Sequence, residues 1–152
     1  MNKKLLVVVM FAALLAGCSN HHRRGDDKYL NPTTPQISVE GGRIVVPGAL
    51  VFLKGEPAVT ITWQLPRDSK ARFAENGIVI EGRITDELIR GDKVSVVLDP
   101  RQTEIVDCRR GKDGLEFTCL NKHTQPGSYK YTIRLIDESQ KQIALDPAVV
   151  NM

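Results

Sequence analysis

The cysteines are the residues of this chain best suited to covalent chemistry, and Cys18 stands apart from the other two. It closes an apolar run that starts at Leu5, after two lysines, and ends in the small residues Ala16 and Gly17. A positive start, an apolar segment and small residues form the layout of a secretory signal, and the run is too short to span a bilayer of about 30 Å permanently. We therefore expect residues 1–17 to be a cleaved signal peptide.

The segment Leu15-Ala16-Gly17-Cys18 resembles the lipobox of bacterial lipoproteins. The resemblance implies diacylglycerol on the Cys18 sulfur, cleavage before Cys18 and acylation of the new N-terminus, so that the membrane becomes a partner through lipid such as palmitate. Ser19 follows the cysteine, at a position where an acidic residue would change the sorting of a lipoprotein between membranes. The resemblance with a serine there implies the outer membrane of a Gram-negative cell, facing the periplasm. The alternative is a plain signal peptide with an incidental cysteine.

Cys108 and Cys119 remain as an even pair once lipid takes Cys18. In an oxidising compartment such a pair predicts a disulfide bond. The spacing is not Cys-x-x-Cys and lacks a nearby histidine pair, which argues against redox or metal chemistry. A two-residue turn at Asp113-Gly114, with positive φ at both positions, would pair Arg110 with Phe117 and so place Cys108 opposite Cys119, with Cα atoms about 5.5 Å apart.

Catalytic residues are hard to assemble from the rest of the chain. A hydrolase needs a nucleophile, a base and an orienting acid, yet His123 is the single histidine beyond the N-terminal segment and no Gly-x-Ser-x-Gly elbow accompanies it. The paired carboxylates, such as Asp86 with Glu87, fall at expected turns, where acids are common. We expect a protein that is not an enzyme and binds no cofactor, with His123 in a solvated loop.

The basic run Arg109-Arg110-Gly111-Lys112 forms the tip of the expected hairpin. It suits either contact with anionic headgroups or peptidoglycan carboxylates, or a charged turn that discourages edge association; we favour the turn. Loss of the leader lysines lowers the formal charge from +3 to +1, and aromatic residues are scarce at 5%. These values argue against a nucleic-acid partner.

Residues 18–35 are expected to be a lipidated cysteine and a flexible tether, because they carry charges and prolines and little to bury. His21-His22 and Arg24-Gly25-Asp26 lie in it. A solvated histidine pair in a linker rarely holds a metal, so we expect none, and we interpret the Arg-Gly-Asp tripeptide as chance.

Residues 36–152 show alternating patterns with frequent turns, which predict an antiparallel, immunoglobulin-like β-sandwich of about nine strands. In the clearest strand, Trp63 falls on the apolar face, which favours a core position over a ligand platform. Asn76-Gly77 is expected to form a turn. Thr85 to Arg90 is the one place where a helical turn is expected, with Asp86 as its cap.

The C-terminal third resembles small exported β-sandwich proteins of proteobacteria that have no assigned activity, on segments such as Pro126-Gly127-Ser128-Tyr129-Lys130-Tyr131 and Leu145-Asp146-Pro147. Together the features predict a non-catalytic binding or accessory module of an envelope assembly, with an envelope protein as partner. The alternative is a small-ligand or metal-binding lipoprotein that uses Trp63 or His21-His22.

Overall fold

The computed structural model describes residues 31–91 and 93–152, and these residues form strands joined by turns, with no helix among them. The strands are β1 (Ser38–Glu40), β2 (Arg43–Val45), β3 (Leu50–Phe52), β4 (Val59–Gln64), β5 (Arg72–Arg90), β6 (Lys93–Asp99), β7 (Ile105–Arg110), β8 (Glu116–Asn121), β9 (Gly127–Ile136), β10 (Gln142–Leu145) and β11 (Ala148–Asn151). Within this part of the chain no helix could therefore cross a bilayer.

The strands form three sheets. The largest has the order β3-β11-β9-β5-β6, with β10 also paired to β9; the second has the order β4-β8-β7; β1 and β2 form a separate hairpin. All pairings are antiparallel except that of β3 with β11. The prediction of an all-β sandwich is confirmed.

The two larger sheets pack face to face through aromatic side chains. The Trp63 ring on β4 lies 5.3 Å from that of Tyr131 on β9, and Phe73 on β5 lies 5.7 Å from Phe117 on β8. Trp63 is fully buried, and its indole N–H donates to the Tyr131 hydroxyl at 3.2 Å. The core position predicted for Trp63 is confirmed.

Strand alternation explains which residues fill this core. On β9 the apolar face is buried, and on β4 Ile61 and Trp63 are buried between more accessible neighbours. The buried apolar residues of β9 are Tyr129, Tyr131, Ile133 and Leu135. Burying one face of each strand in this way is the main source of stability in a sandwich.

Two local predictions about β5 are wrong. The expected helical turn at Thr85 to Arg90 is a continuation of β5, because each of its residues from Asp86 onward pairs with β6. Asn76-Gly77 is not a turn but lies within β5, where the pairing with β9 shifts between Phe73 and Ile78. Cross-strand pairing thus overrode the local signals in both segments.

The folded body includes residues that the sequence assigned to the tether. The Thr62 amide donates to the Thr33 carbonyl at 2.7 Å, and the Gln64 amide donates to the Pro35 carbonyl at 3.0 Å. Gln36 then forms a parallel bridge with Gln64. This segment covers the edge of β4, so the chain is held to the sandwich from Thr33 onward.

Candidate functional site

The residues expected to carry the lipid lie outside the described part of the chain. They are Cys18 and the tether residues His21, His22 and Arg24-Gly25-Asp26. The expectations of a lipid anchor and of an unoccupied histidine pair therefore stay predictions.

The disulfide between Cys108 and Cys119 is present, with the two Cα atoms 4.1 Å apart. It joins neighbouring strands β7 and β8 of one sheet. Arg110 pairs with Phe117 as predicted, but the register shifts between Val106 and Arg109, so that two residues of β7 oppose Cys119. This is a β-bulge, and Asp107 in it adopts a φ of 53°. The bulge explains why the Cα atoms are closer than the predicted 5.5 Å.

The turn of this hairpin also differs from the prediction. The Gly114 amide donates to the Gly111 carbonyl at 3.0 Å, so Lys112 and Asp113 are the central residues. Gly114 has a φ of 70°, whereas Asp113 is not among the residues with positive φ. The two-residue turn with positive φ at both positions is therefore wrong, although the register beyond it is right at Arg110.

The two arginines of the basic run, Arg109 and Arg110, have different surroundings. The Arg110 Nε–H donates to the Phe73 carbonyl at 2.7 Å, and its guanidinium also lies 3.4 Å from the Glu75 carboxylate. Arg110 therefore ties the β7–β8 hairpin to the start of β5. Arg109 is exposed. These contacts favour the interpretation of the basic run as a charged structural turn.

His123 is held by the loops around it. Its Nδ1 lies 2.9 Å from the Glu56 carbonyl, to which an Nδ1–H donates, and its backbone amide donates to the Asn121 side chain at 3.2 Å. Its φ is 52°. Among residues 31–91 and 93–152, no cluster of three or more histidine, cysteine or acidic side chains could hold a metal ion.

Glu104 was missed by the sequence reading and fastens the loop after β8. Its buried carboxylate accepts hydrogen bonds from the Thr124 hydroxyl at 2.6 Å, the Thr124 amide at 2.7 Å and the Gln125 amide at 3.2 Å. Burial acts to raise the pKa of Glu104, but these hydrogen bonds and the charge of Lys122 outweigh it, so that its pKa lies below the usual value. No sequence pattern predicts such a contact.

Asn121 and Asn151 form a second polar contact that the sequence reading missed. Each side-chain amide donates to the other, at 2.9 and 3.1 Å, and both residues are buried. Asn121 ends β8 and Asn151 ends β11, so the pair joins the two packed sheets at one end of the sandwich. Both residues thus have a structural explanation.

The feature without a structural explanation is the distal part of β5 with β6, residues 84–99, which we call the ribbon. Arg83 is the last residue of β5 that pairs with β9, and it also pairs with Asp99. From Ile84 to Arg90, β5 pairs only with β6 among the described residues. The ribbon is therefore a two-stranded extension of the sheet.

The ribbon exposes large apolar side chains. Ile89 is 72% exposed and Val94 is 64% exposed, while Leu88 and Val97 are 42% and 41% exposed. Scattered exposed apolar residues are common, but a contiguous group marks an interaction surface. The sequence signal was present in Val94-Ser95-Val96-Val97-Leu98, a β-favouring run without charge.

The pairing register sorts these side chains onto two faces, because residues that pair directly across an antiparallel ladder share a face. Ile84 pairs with Leu98, Glu87 with Val96, and Ile89 with Val94. We call this set the apolar face. Its one charged residue is Glu87, in the middle pair. Asp86, Leu88, Ser95 and Val97 belong to the opposite face.

The ribbon also carries an open backbone edge. β6 is the last strand of its sheet within the described part of the chain. From Val94 to Leu98 it has no charge, no proline and no glycine. Proteins usually protect an edge strand with charges, prolines or bulges, because its unpaired N–H and C=O groups pair readily with another chain. Between Val94 and Leu98 this edge has none of these protections, and the charged residues of β6 lie only at its two ends.

The ribbon lies far from the point where the chain joins the sandwich. Asn31 and Pro32 line a shallow apolar groove beside β3, together with Val51 and Leu53. β3 and β6 are the opposite edges of the large sheet. Successive strands are about 4.8 Å apart, so the two edges are separated by roughly 19 Å. The ribbon thus belongs to the edge of the large sheet opposite the one beside which Asn31 and Pro32 lie.

No protein-family model matches this chain, and a search of curated proteins found no significant match. The proposed function therefore derives from the residues and geometry of the chain itself.

Proposed function

We propose that this protein is a lipid-anchored, non-catalytic module of the outer membrane that docks another envelope protein through the apolar face of the ribbon. The observation that carries the proposal is the projecting pair of strands with Ile89 and Val94 largely exposed. When a partner covers exposed apolar groups of this kind, the free energy falls by about 25 cal/mol per Å² of apolar surface buried.

The anchor and the ribbon support different parts of this role. Lipid on Cys18 holds the protein at the membrane without a membrane-binding surface on the body, since each buried CH₂ contributes about 0.8 kcal/mol. The apolar edge opposite the N-terminal segment is then free for a protein in the periplasm. The tip of the ribbon carries Arg90 and Lys93, whose charges disfavour insertion into a bilayer.

The apolar face also indicates the chemistry of its partner. A partner that covers Ile84, Ile89 and Val94 should present apolar, β-branched or aromatic side chains. Glu87 in the middle pair calls for a basic residue, because an unpaired carboxylate would be costly to bury. We therefore propose a partner segment that is apolar with a central lysine or arginine.

The test uses a photo-crosslinking residue in place of Ile89 in living cells, with the same residue in place of Leu53 as the control. Leu53 is 59% exposed and lies after β3, at the other edge of the sheet. We expect one envelope protein to be cross-linked from position 89 only, through an apolar peptide that contains a basic residue.

Charge reversal completes this test. Glu87→Lys should abolish the cross-link, and an acidic substitution of the partner's basic residue should restore it. If position 53 captures the same proteins as position 89, or if Glu87→Lys leaves the cross-link unchanged, the proposed docking through the apolar face is wrong.

The lipid is tested separately by mass spectrometry of the mature N-terminus. We expect a Cys18 that carries diacylglycerol, and loss of membrane fractionation in Cys18→Ala. An unmodified thiol at Cys18 would contradict the lipid anchor but would leave the proposed docking through the ribbon unaffected.

A further inference from the structure

The open edge of β6 is complementary to itself. An antiparallel partner strand pairs residues whose numbers have a constant sum, and a second β6 centred on Val96 places Val96 opposite Val96. The same register places Val94 opposite Leu98 and Ser95 opposite Val97, all from β6. Every uncharged residue of the edge thus meets another uncharged residue.

The charges at the strand ends agree with the same register. In the register centred on Val96, Lys93 of one copy falls opposite Asp99 of the other, at both ends of the strand pair. Residues of opposite charge that lie directly opposite each other stabilise an antiparallel strand pair.

The apolar face becomes continuous in this arrangement. A two-fold axis perpendicular to the sheet keeps equivalent faces on the same side. The row Ile84–Leu98 of one copy then continues into the row Val94–Ile89 of the other. The middle row places a Glu87 at each end of two adjacent Val96 residues. Apolar rows thus run unbroken across the strands.

We propose that two copies of this chain pair through β6 in antiparallel orientation, centred on Val96, and form one sheet that is continuous across the dimer. The partner that covers this edge is thus a second copy of the chain. Backbone hydrogen bonds provide the affinity and the side-chain pairs set the register, as in other cases of strand addition. The inference goes beyond the proposed function and requires neither the lipid nor an envelope partner.

Cysteine cross-linking of the full chain, purified in detergent, tests the register. Opposite residues of an antiparallel pair have Cα atoms about 4.5–5.5 Å apart, within the range that a disulfide requires. Val96→Cys should therefore form a disulfide-linked dimer on mild oxidation. Val94→Cys should not, because two copies of residue 94 would lie about 13 Å apart along the strands. The double variant Val94→Cys, Leu98→Cys should cross-link again.

Charge substitution at the centre tests the dimer in solution. Val96→Lys and Val96→Glu each place like charges opposite one another and should weaken the dimer roughly tenfold in sedimentation experiments. An equal mixture of the two variants should restore a dimer, because the opposite charges then meet. Both substitutions are on an exposed strand, and circular dichroism checks that each variant is folded.

A monomeric wild-type chain, or cross-linking of Val94→Cys as efficient as that of Val96→Cys, would overturn the pairing. Either result leaves the cross-link from position 89 to an envelope protein unaffected, so failure here is distinguishable from failure of the proposed function.

Discussion

At the scale of single residues, buried polar side chains secure the loops around the sandwich. Glu104 fastens the residues after β8, and the Asn121–Asn151 pair joins the two sheets. A buried polar group is tolerated when its hydrogen bonds are made and becomes costly when one partner is removed. These residues are therefore where small substitutions should have large effects.

Glu104→Gln should lower the free energy of unfolding by about 1–3 kcal/mol at neutral pH, since an amide cannot accept all the hydrogen bonds that the carboxylate accepts. Chemical denaturation measures this loss. Glu138→Gln is the control, because the Glu138 side chain is 63% exposed and should change stability little. Equal losses in the two variants would show that the Glu104 contacts do not matter.

The Glu104 effect should also depend on pH. Its pKa in the folded chain is lowered, so its contribution is present above the ordinary value of 4.5 and is lost as the pH falls through the lowered folded pKa. Wild type and Glu104→Gln should therefore converge in stability in acid. A difference that stays constant from neutral to acidic pH would contradict the lowered pKa.

The asparagine pair predicts strong coupling in a double-mutant cycle. Asn121→Ala and Asn151→Ala should each destabilise the chain, and the double variant should lose less than the two combined, with a coupling of about 0.5–3 kcal/mol. A parallel cycle of Asn121 with the exposed Ser139 should give no coupling. Additive effects in the first cycle would mean that the two amides act independently.

At the scale of elements, the sequence predicted strand faces well and strand lengths poorly. The alternation around Trp63 identified a buried face, because one-sided burial has a period of two. The bounds of β5 were missed because Asn76-Gly77 and Thr85 to Arg90 carry turn and helix signals, while the opposing evidence lies in partner strands distant in sequence. The bulge at Asp107 was beyond prediction for the same reason.

Only part of the candidate site could be predicted from the sequence. The run from Val94 to Leu98 has the β-favouring composition of a strand, but whether a strand is an edge depends on the sheet order, which a single sequence does not give. The disulfide was predicted correctly because Cys108 and Cys119 flank a turn, so that a local signal was sufficient.

Reduction of the disulfide should lower the free energy of unfolding by at most about 3 kcal/mol, because the bond closes a short loop between residues 11 apart. Denaturation with and without reductant measures the difference. The variant Cys108→Ala, Cys119→Ala provides the control, since reductant should leave it unchanged. No response in the wild-type chain would indicate that the thiols are not bonded in solution.

Gly82 sets the close approach of β5 and β6 at the root of the ribbon. A Cβ there would lie 2.7 Å from the Asp99 carbonyl oxygen, and its φ is +153°. Gly82→Ala should displace the ribbon and speed amide exchange along β6. Gly91→Ala is the control. Gly91 also has a positive φ, +64°, but a Cβ built there has no atom within 4 Å apart from its chain neighbours. This substitution should cost about 1–2 kcal/mol locally. Equal exchange in the two variants would contradict this role of Gly82.

At the scale of the whole molecule, the two edges of the large sheet have different surroundings. The N-terminal segment joins the sandwich beside β3, whereas the ribbon forms the other edge. In our account the first edge faces the membrane anchor and the second faces other proteins. The central claim is that the ribbon is covered in the envelope.

Thiol labelling in intact cells tests this claim most directly. Ile89→Cys and Leu53→Cys place a thiol at sites that are 72% and 59% exposed in the isolated chain. Both variants should react rapidly with a small maleimide after purification and dilution. In intact cells we predict that position 89 is protected at least tenfold relative to position 53. Equal reactivity of the two positions in cells would mean that nothing covers the ribbon, and the account would be wrong.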